Sequence, residues 1–158
     1  MAANQVLLKT SDEKEFAITE EVAQQSELLT SLLKEREDPK EVIPLLNIEG
    51  EVFQKAVEWM EYHAANPMIY TDKPEDRNRF SELNPYDIKF CDDLDKCLLF
   101  ELFKASISLQ IPMLVESCAR CVARNLVGKT PEQMREYLNE EDDYTQEELE
   151  ELRKKYAH

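Results

Sequence analysis

Gly128-Lys129-Thr130-Pro131-Glu132-Gln133 places a helix stop beside a helix start, and this junction organises the chain. Gly128, one of only two glycines, closes an apolar helical run ending Asn125-Leu126-Val127, where a left-handed residue is wanted. Thr130 is placed to cap the next helix, Pro131 sits at its first position where a missing N–H costs nothing, and Gln133 completes a capping box. The device recurs: Thr145, with Glu148 three residues on, opens a last helix carrying Leu149, Leu152 and Tyr156 on one face. Helices shorter than about 12–15 residues are marginal alone. This pair must therefore dock on its own domain or fold onto a partner. Working outward, residues 1–127 read as one domain and 128–158 as a helical appendage.

With 158 residues the chain can build one sizeable core. Two glycines against seven prolines and a charged fraction of 34% predict a helix-rich fold with few tight hairpins. The formal charge of −15 argues against nucleic acid or an anionic membrane as a direct partner, since both select a basic face. A basic protein surface is the better match. Eight carboxylates and no Lys or Arg lie between Glu140 and Glu151, and Arg153, Lys154 and Lys155 follow, an order that suits the dipole of the last helix. There is no run of 18 apolar residues, and Met1 to Thr10 lacks the pattern of a secretory signal, so the expected location is cytoplasmic and nuclear. In that setting Cys91, Cys97, Cys118 and Cys121 are expected as free thiols. Cys118 and Cys121 form a Cys-x-x-Cys pair, but mid-helix in the pattern Val115, Cys118, Val122, which predicts packing rather than metal or redox chemistry.

Along the chain, Val6 to Lys9 and Glu15 to Ile18 read as a hairpin around a polar turn. Two short helices broken near Gln25-Ser26 follow, then a charged loop from Lys34 to Glu41. Val42 to Leu46 is a third strand, with Pro44 marking an edge or an end. Val52, Phe53, Ala56, Val57, Trp59 and Met60 recur at helical intervals from Glu51 to His63. Residues 65–84, with Pro67 and Pro74, read as a mobile surface loop. Cys97 to Leu109 is the expected central core helix, and Pro112 starts another that runs to Val127.

Catalysis has little to work with. His158 is the last residue and His63 ends an amphipathic helix; two glycines cannot build a phosphate-cradling loop, and no zinc motif or nucleophile elbow is present. The chain reads as a binding protein without cofactor or metal, and not as an enzyme.

Set in order, these segments resemble the Skp adaptors of SCF ubiquitin ligases. The likeness runs through Leu8-Lys9-Thr10-Ser11-Asp12, Ile43-Pro44-Leu45 with Asn47, the helix Phe53 to Trp59 followed by Tyr62-His63, and Leu99-Phe100-Glu101-Leu102 with Ile111. It ends in Gly128-Lys129-Thr130-Pro131-Glu132 and Tyr144-Thr145-Gln146-Glu147-Glu148. The resemblance implies an α+β BTB/POZ fold, a small three-stranded sheet with helices, plus a C-terminal helical extension that grips an F-box. It implies a non-catalytic bridge in ubiquitin conjugation, between a cullin and F-box substrate receptors; the shorter elongin C relatives lack the tail.

F-box contacts are then expected at Met113, Cys118, Val122, Leu126, Met134, Tyr137, Leu138, Leu149, Leu152 and Tyr156, an apolar series suited to folding on a partner helix. The cullin face falls at Phe103, Ile107 and Ser108. There the family carries Asn-Tyr where this chain has Ile107-Ser108, and losing an interface tyrosine costs on the order of 2 kcal/mol, about thirtyfold in affinity. The family also ends in Trp-Cys-Glu, for which Tyr156 is a smaller substitute. The proline matching Pro131 is hydroxylated in some lineages, and BTB folds often self-associate. The alternative is a divergent Skp-like protein that binds F-box or other partners outside a cullin ligase.

Overall fold

The computed structural model describes residues 4–67, 85–140 and 145–156, and the chain divides into two compact units, Met1–Val122 and Ala123–His158. Most of the segment expected as a mobile loop, from residue 68 to 84, lies outside the described residues.

In the first unit β1 (Gln5–Lys9) and β2 (Glu15–Thr19) pair antiparallel, with Val6 opposite Ile18 and Leu8 opposite Phe16. Strand alternation turns Val6, Leu8 and Ile18 inward. Their turn is held by side chains. The Thr10 N–H donates to the Lys14 carbonyl at 2.9 Å and the Thr10 hydroxyl to Asp12 Oδ1 at 2.5 Å, with Glu13 left-handed at φ 64°. Asp12 Oδ1 also accepts the Gly50 N–H at 2.8 Å. The Thr10 hydroxyl, with that N–H, holds the Asp12 carboxyl below its ordinary value. β3 (Ile43–Pro44) runs parallel to β1, giving the order β2-β1-β3. The expected strand from Val42 to Leu46 is thus reduced to two residues. Pro44 has no N–H to extend the ladder, and Leu46 turns out to solvent at 79% exposure.

Six helices follow among the described residues up to Leu126. α1 (Glu20–Ala23) and α2 (Glu27–Glu35) are separately capped by Thr19 and Ser26, where the sequence predicts the break. α3 (Gly50–Ala65) buries Val52, Phe53, Ala56, Trp59 and Met60, one continuous stripe. α4 (Pro85–Asp92) is a helix that periodicity did not announce; α5 (Lys96–Ser108) is capped by Asp95, and α6 (Pro112–Leu126) continues into the second unit. α5 buries Leu99, Leu102, Ala105 and Ser106. Together with Leu109, Ile111 and Leu114 they join the single core cluster.

The corner between α5 and α6 is tightly specified. Gln110 is left-handed at φ 54°, its N–H donates to the Ile107 carbonyl at 3.1 Å, and the Ile111 N–H reaches the Ser106 carbonyl at 3.0 Å. This is a Schellman end in which glutamine takes the place usually given to glycine. Ser26, fully buried, locks it to α2: its hydroxyl accepts the Leu29 N–H and donates to the Leu109 carbonyl, while the Glu27 N–H donates to the Gln110 carbonyl at 2.9 Å.

A second buried polar group joins α3 to α4. Asp87, 2% exposed, accepts from Trp59 Nε1 at 3.0 Å and from His63 Nε2 at 2.9 Å. Tyr62 and Tyr86 stack beside it at 3.5 Å between ring centroids. His63, at the end of its helix, is therefore a buried link between α3 and α4.

The cysteines depart from expectation. Cys91 on α4 and Cys121 on α6 are joined as a disulfide, with Cα atoms 6.0 Å apart, and only Cys97 and Cys118 are free. The two lie 30 residues apart, and nothing local in either helix signals that they face one another. Closing such a loop is worth about 3–4 kcal/mol on the chain-entropy account.

Substitutions at two positions check these constraints. Asp87→Ala strands two buried donors and should lower unfolding stability by about 3 kcal/mol, read as a fall in urea midpoint, whereas Asp87→Asn keeps an acceptor and should cost less. Gln110→Gly relieves a left-handed side chain and should raise stability by about 0.5–1 kcal/mol in the same assay.

Candidate functional site

α5 brings Phe103, Ile107 and Ser108 to one side of the first unit. Ile107 is 55% exposed, Ser108 is exposed, and Phe103 is half-buried against the core. An exposed isoleucine on the last turn of a core helix is there because the Schellman corner ends the helix at Ser108, before another inward turn can form. Beside Ser108 lies a cavity of about 330 Å³ whose walls come from Ser11, Asn47 to Glu49, Val52, Glu101, Lys104 and Ala105. The sequence names the helix residues of this region. It misses that the hairpin turn and the approach to α3 form the opposite wall, because those segments are distant along the chain.

On α6 the expected contacts separate. Met113 is half-buried and lines a second cavity, of about 310 Å³, with Gln24, Gln25, Trp59 and His63. Val122 is half-buried. Cys118 is only 2% exposed, and burial pushes its thiol up to about 12 although the neighbouring Ser106 hydroxyl acts in the opposite direction. It packs the core and does not present itself to a partner, which corrects its expected role; the Cys-x-x-Cys spacing puts both sulfurs on the buried face of one helix.

In the second unit the helix stop and the capping box at Gly128 to Gln133 are both formed. Gly128 has φ +80°, and a Cβ there would meet no neighbour, so its conformation alone selects glycine. Thr130 Oγ1 accepts the Gln133 N–H at 3.2 Å while Gln133 Oε1 accepts the Thr130 N–H at 3.0 Å, opening α7 (Pro131–Leu138). Asn139, left-handed at φ 56°, ends it. The same reciprocal pair, Thr145 with Glu148, opens α8 (Gln146–Tyr156).

Tyr137 is turned back toward the end of α6: Asn125 Nδ2 donates to its hydroxyl at 2.9 Å and the Lys129 ammonium lies 5.0 Å over its ring. Yet neither α7 nor α8 has a buried residue. Leu126, Met134, Tyr137 and Leu149 are half-covered; Leu138, Leu152 and Tyr156 are exposed, the last at 66%. Pro131 is exposed at the first position of its helix.

The described residues contain no cluster of three or more metal-ligating side chains, and no helix among them is long and apolar enough to cross a membrane.

Against this geometry stand the comparisons. Residues 4–65 match the Skp1 family tetramerisation domain, and residues 112–158 match the Skp1 family dimerisation domain. The SCF ubiquitin ligase complex protein SKP1a of Dictyostelium discoideum is 34% identical over 94% of this chain and 91% of its own. The chain belongs to the Skp1 family. The E3 ubiquitin ligase complex SCF subunit sconC of Talaromyces stipitatus is 31% identical over 96% of this chain and 94% of its own. SKP1-like protein 18 of Arabidopsis thaliana is 33% identical over 99% and 97%. The two matched domains flank α4 and α5, so α5 with Ile107 and Ser108 lies outside both. The α+β fold is the BTB/POZ arrangement the resemblance implies.

The thiols give a direct check on burial. Iodoacetamide added to the native chain at mildly alkaline pH should alkylate exposed Cys97 and leave Cys118 unmodified until denaturant is present, by peptide mass. Equal rates at both sites would place Cys118 at the surface.

Proposed function

We propose that this Skp1-family chain is a non-catalytic adaptor that joins F-box substrate receptors to a cullin scaffold in an SCF ubiquitin ligase. One observation carries the reading: α7 and α8 are well capped, carry apolar side chains, and bury none of them. A helix that short gains its stability from packing, and here a partner is the available surface. Relatives named as subunits of SCF ubiquitin ligase complexes favour work inside a ligase over the alternative assembly role.

The F-box would lie along Leu126, Met134, Tyr137, Leu138, Leu149, Leu152 and Tyr156, with Met113 and Val122 as further contacts. Cullin would meet Phe103, Ile107 and Ser108. With an isoleucine in place of a hydrogen-bonding asparagine, that contact is apolar and suits a cullin helix with an aliphatic side chain opposite. Pro131, exposed beside its capping box, is the candidate for hydroxylation. The family's tetramerisation and dimerisation domains support self-association of the unpartnered chain. We place the adaptor in cytoplasm and nucleus, where a tagged chain should be seen by microscopy.

Binding of a labelled F-box peptide, followed by anisotropy, tests the adaptor. Leu152→Asp or Met134→Asp should weaken it at least tenfold without changing the melting midpoint of the chain, since neither side chain is buried. A chain that binds no F-box peptide defeats the reading, whatever a cullin does. For the second face, Ile107→Asp should weaken a cullin N-terminal domain about thirtyfold, whereas an unchanged affinity would remove α5 from that contact.

A further inference from the structure

We propose that Cys91 and Cys121 are a redox-reversible crosslink, closed by glutathione disulfide, that fastens the core end of α6 to α4. The proposal concerns the first unit alone and goes beyond the adaptor reading. Three features of the fold support it.

First, each cysteine is positioned independently of the bond. α4 is held to α3 by Asp87 and by the Tyr62–Tyr86 stack. α6 is held by its buried Leu114, Ser117 and Cys118. The Cα atoms then stand 6.0 Å apart, within the roughly 4.4–6.8 Å that a disulfide spans without backbone movement.

Second, the other two thiols are free in the fold that brings this pair together. Cys97 is exposed on α5, and Cys118 is buried with its thiol pushed up, which makes it a poor attacking group. Cys118 therefore does not divert the bond to itself.

Third, the location matters. The loop that the bond closes contains α5, its exposed Ile107 and Ser108, and the Gln110 corner. Cys121 lies next to Val122, the last residue of the first unit, on the helix that continues into the capped tail. Oxidation therefore fixes the root of that helix.

The chemistry balances with one named oxidant. The thiolate of one cysteine attacks a sulfur of glutathione disulfide and releases one glutathione; the second cysteine attacks the mixed disulfide and releases the other. Two protons and two electrons pass from the cysteine pair to two glutathione thiols. Both cysteines are under 9% exposed, so exchange proceeds through local opening and is slow in the native chain.

The experiment uses the full chain without a partner, so its outcome is independent of F-box binding. The chain is equilibrated with glutathione disulfide or with dithiothreitol, trapped with iodoacetamide in denaturant, and mapped by peptide mass. Oxidation should link Cys91 to Cys121, leave Cys118 alkylated, and be undone by dithiothreitol. It should raise the melting midpoint by on the order of 5–10 °C and slow amide exchange across residues 117–122. Cys91→Ala and Cys121→Ser should each abolish the shift, and Cys97→Ser should keep it. Absence of the linked peptide, linkage through Cys118 instead, or a crosslink that leaves both melting and exchange unchanged overturns the proposal.

Discussion

The buried hydroxyl of Ser26 is the constraint on which the rest of the first unit depends. It satisfies the N-terminus of α2 and, in the same stroke, a carbonyl at the end of α5, where a Schellman turn has already used the neighbouring backbone groups. A helix end inside a core is tolerable only when its orphan groups find partners, and here two helix ends satisfy one another. The corner fixes where α5 stops and α6 starts. It therefore also decides that Ile107 and Ser108 face solvent, and that Leu109 and Ile111, both fully buried, point inward. An exposed residue and a core residue are set by the same bonds.

Much of this was legible in the sequence where the governing interaction is local. Caps, glycine stops and apolar periodicity act within a turn of helix, so the junction at Gly128, both capping boxes, the break at Ser26 and the stripe of α3 are read directly from spacing. The corner at Gln110 escaped because glutamine pays no visible tribute to a left-handed conformation; only the surrounding bonds impose it. α4 escaped for a related reason. Its order rests on Asp87 meeting Trp59 and His63, partners more than 20 residues away. The Cys91–Cys121 pairing is non-local in the same sense, and it corrects the expectation of four free thiols.

At the candidate site the boundary between legible and hidden again follows range. The tail helices are legible because capping boxes and amphipathic spacing act within the helix itself. Cys118 was misassigned because periodicity places it on the apolar side of α6 without saying which part of that side the core already occupies. Periodicity reports a face; only the fold says what covers it. The cavity beside Ser108 is built from three separated segments and has no sequence signature at all.

Exposure in the tail and burial in the core are complementary demands on an adaptor of this kind. A bridge that accepts many receptors gains from a surface whose order is completed by the partner, because ordering cost is then met only in productive complexes and affinity is kept moderate. The scaffold-facing side gains from the reverse. The residues proposed for it sit at the end of a helix that is largely buried and whose terminus is bonded, so little freedom is left to lose on binding. The chain meets both demands with the same element type. α5 is helical because its neighbours enclose it, whereas α7 and α8 have only their caps and terminal charges to favour the helix until they pack on another surface. That difference in the source of order, more than any difference in composition, separates a rigid docking face from an adaptable one.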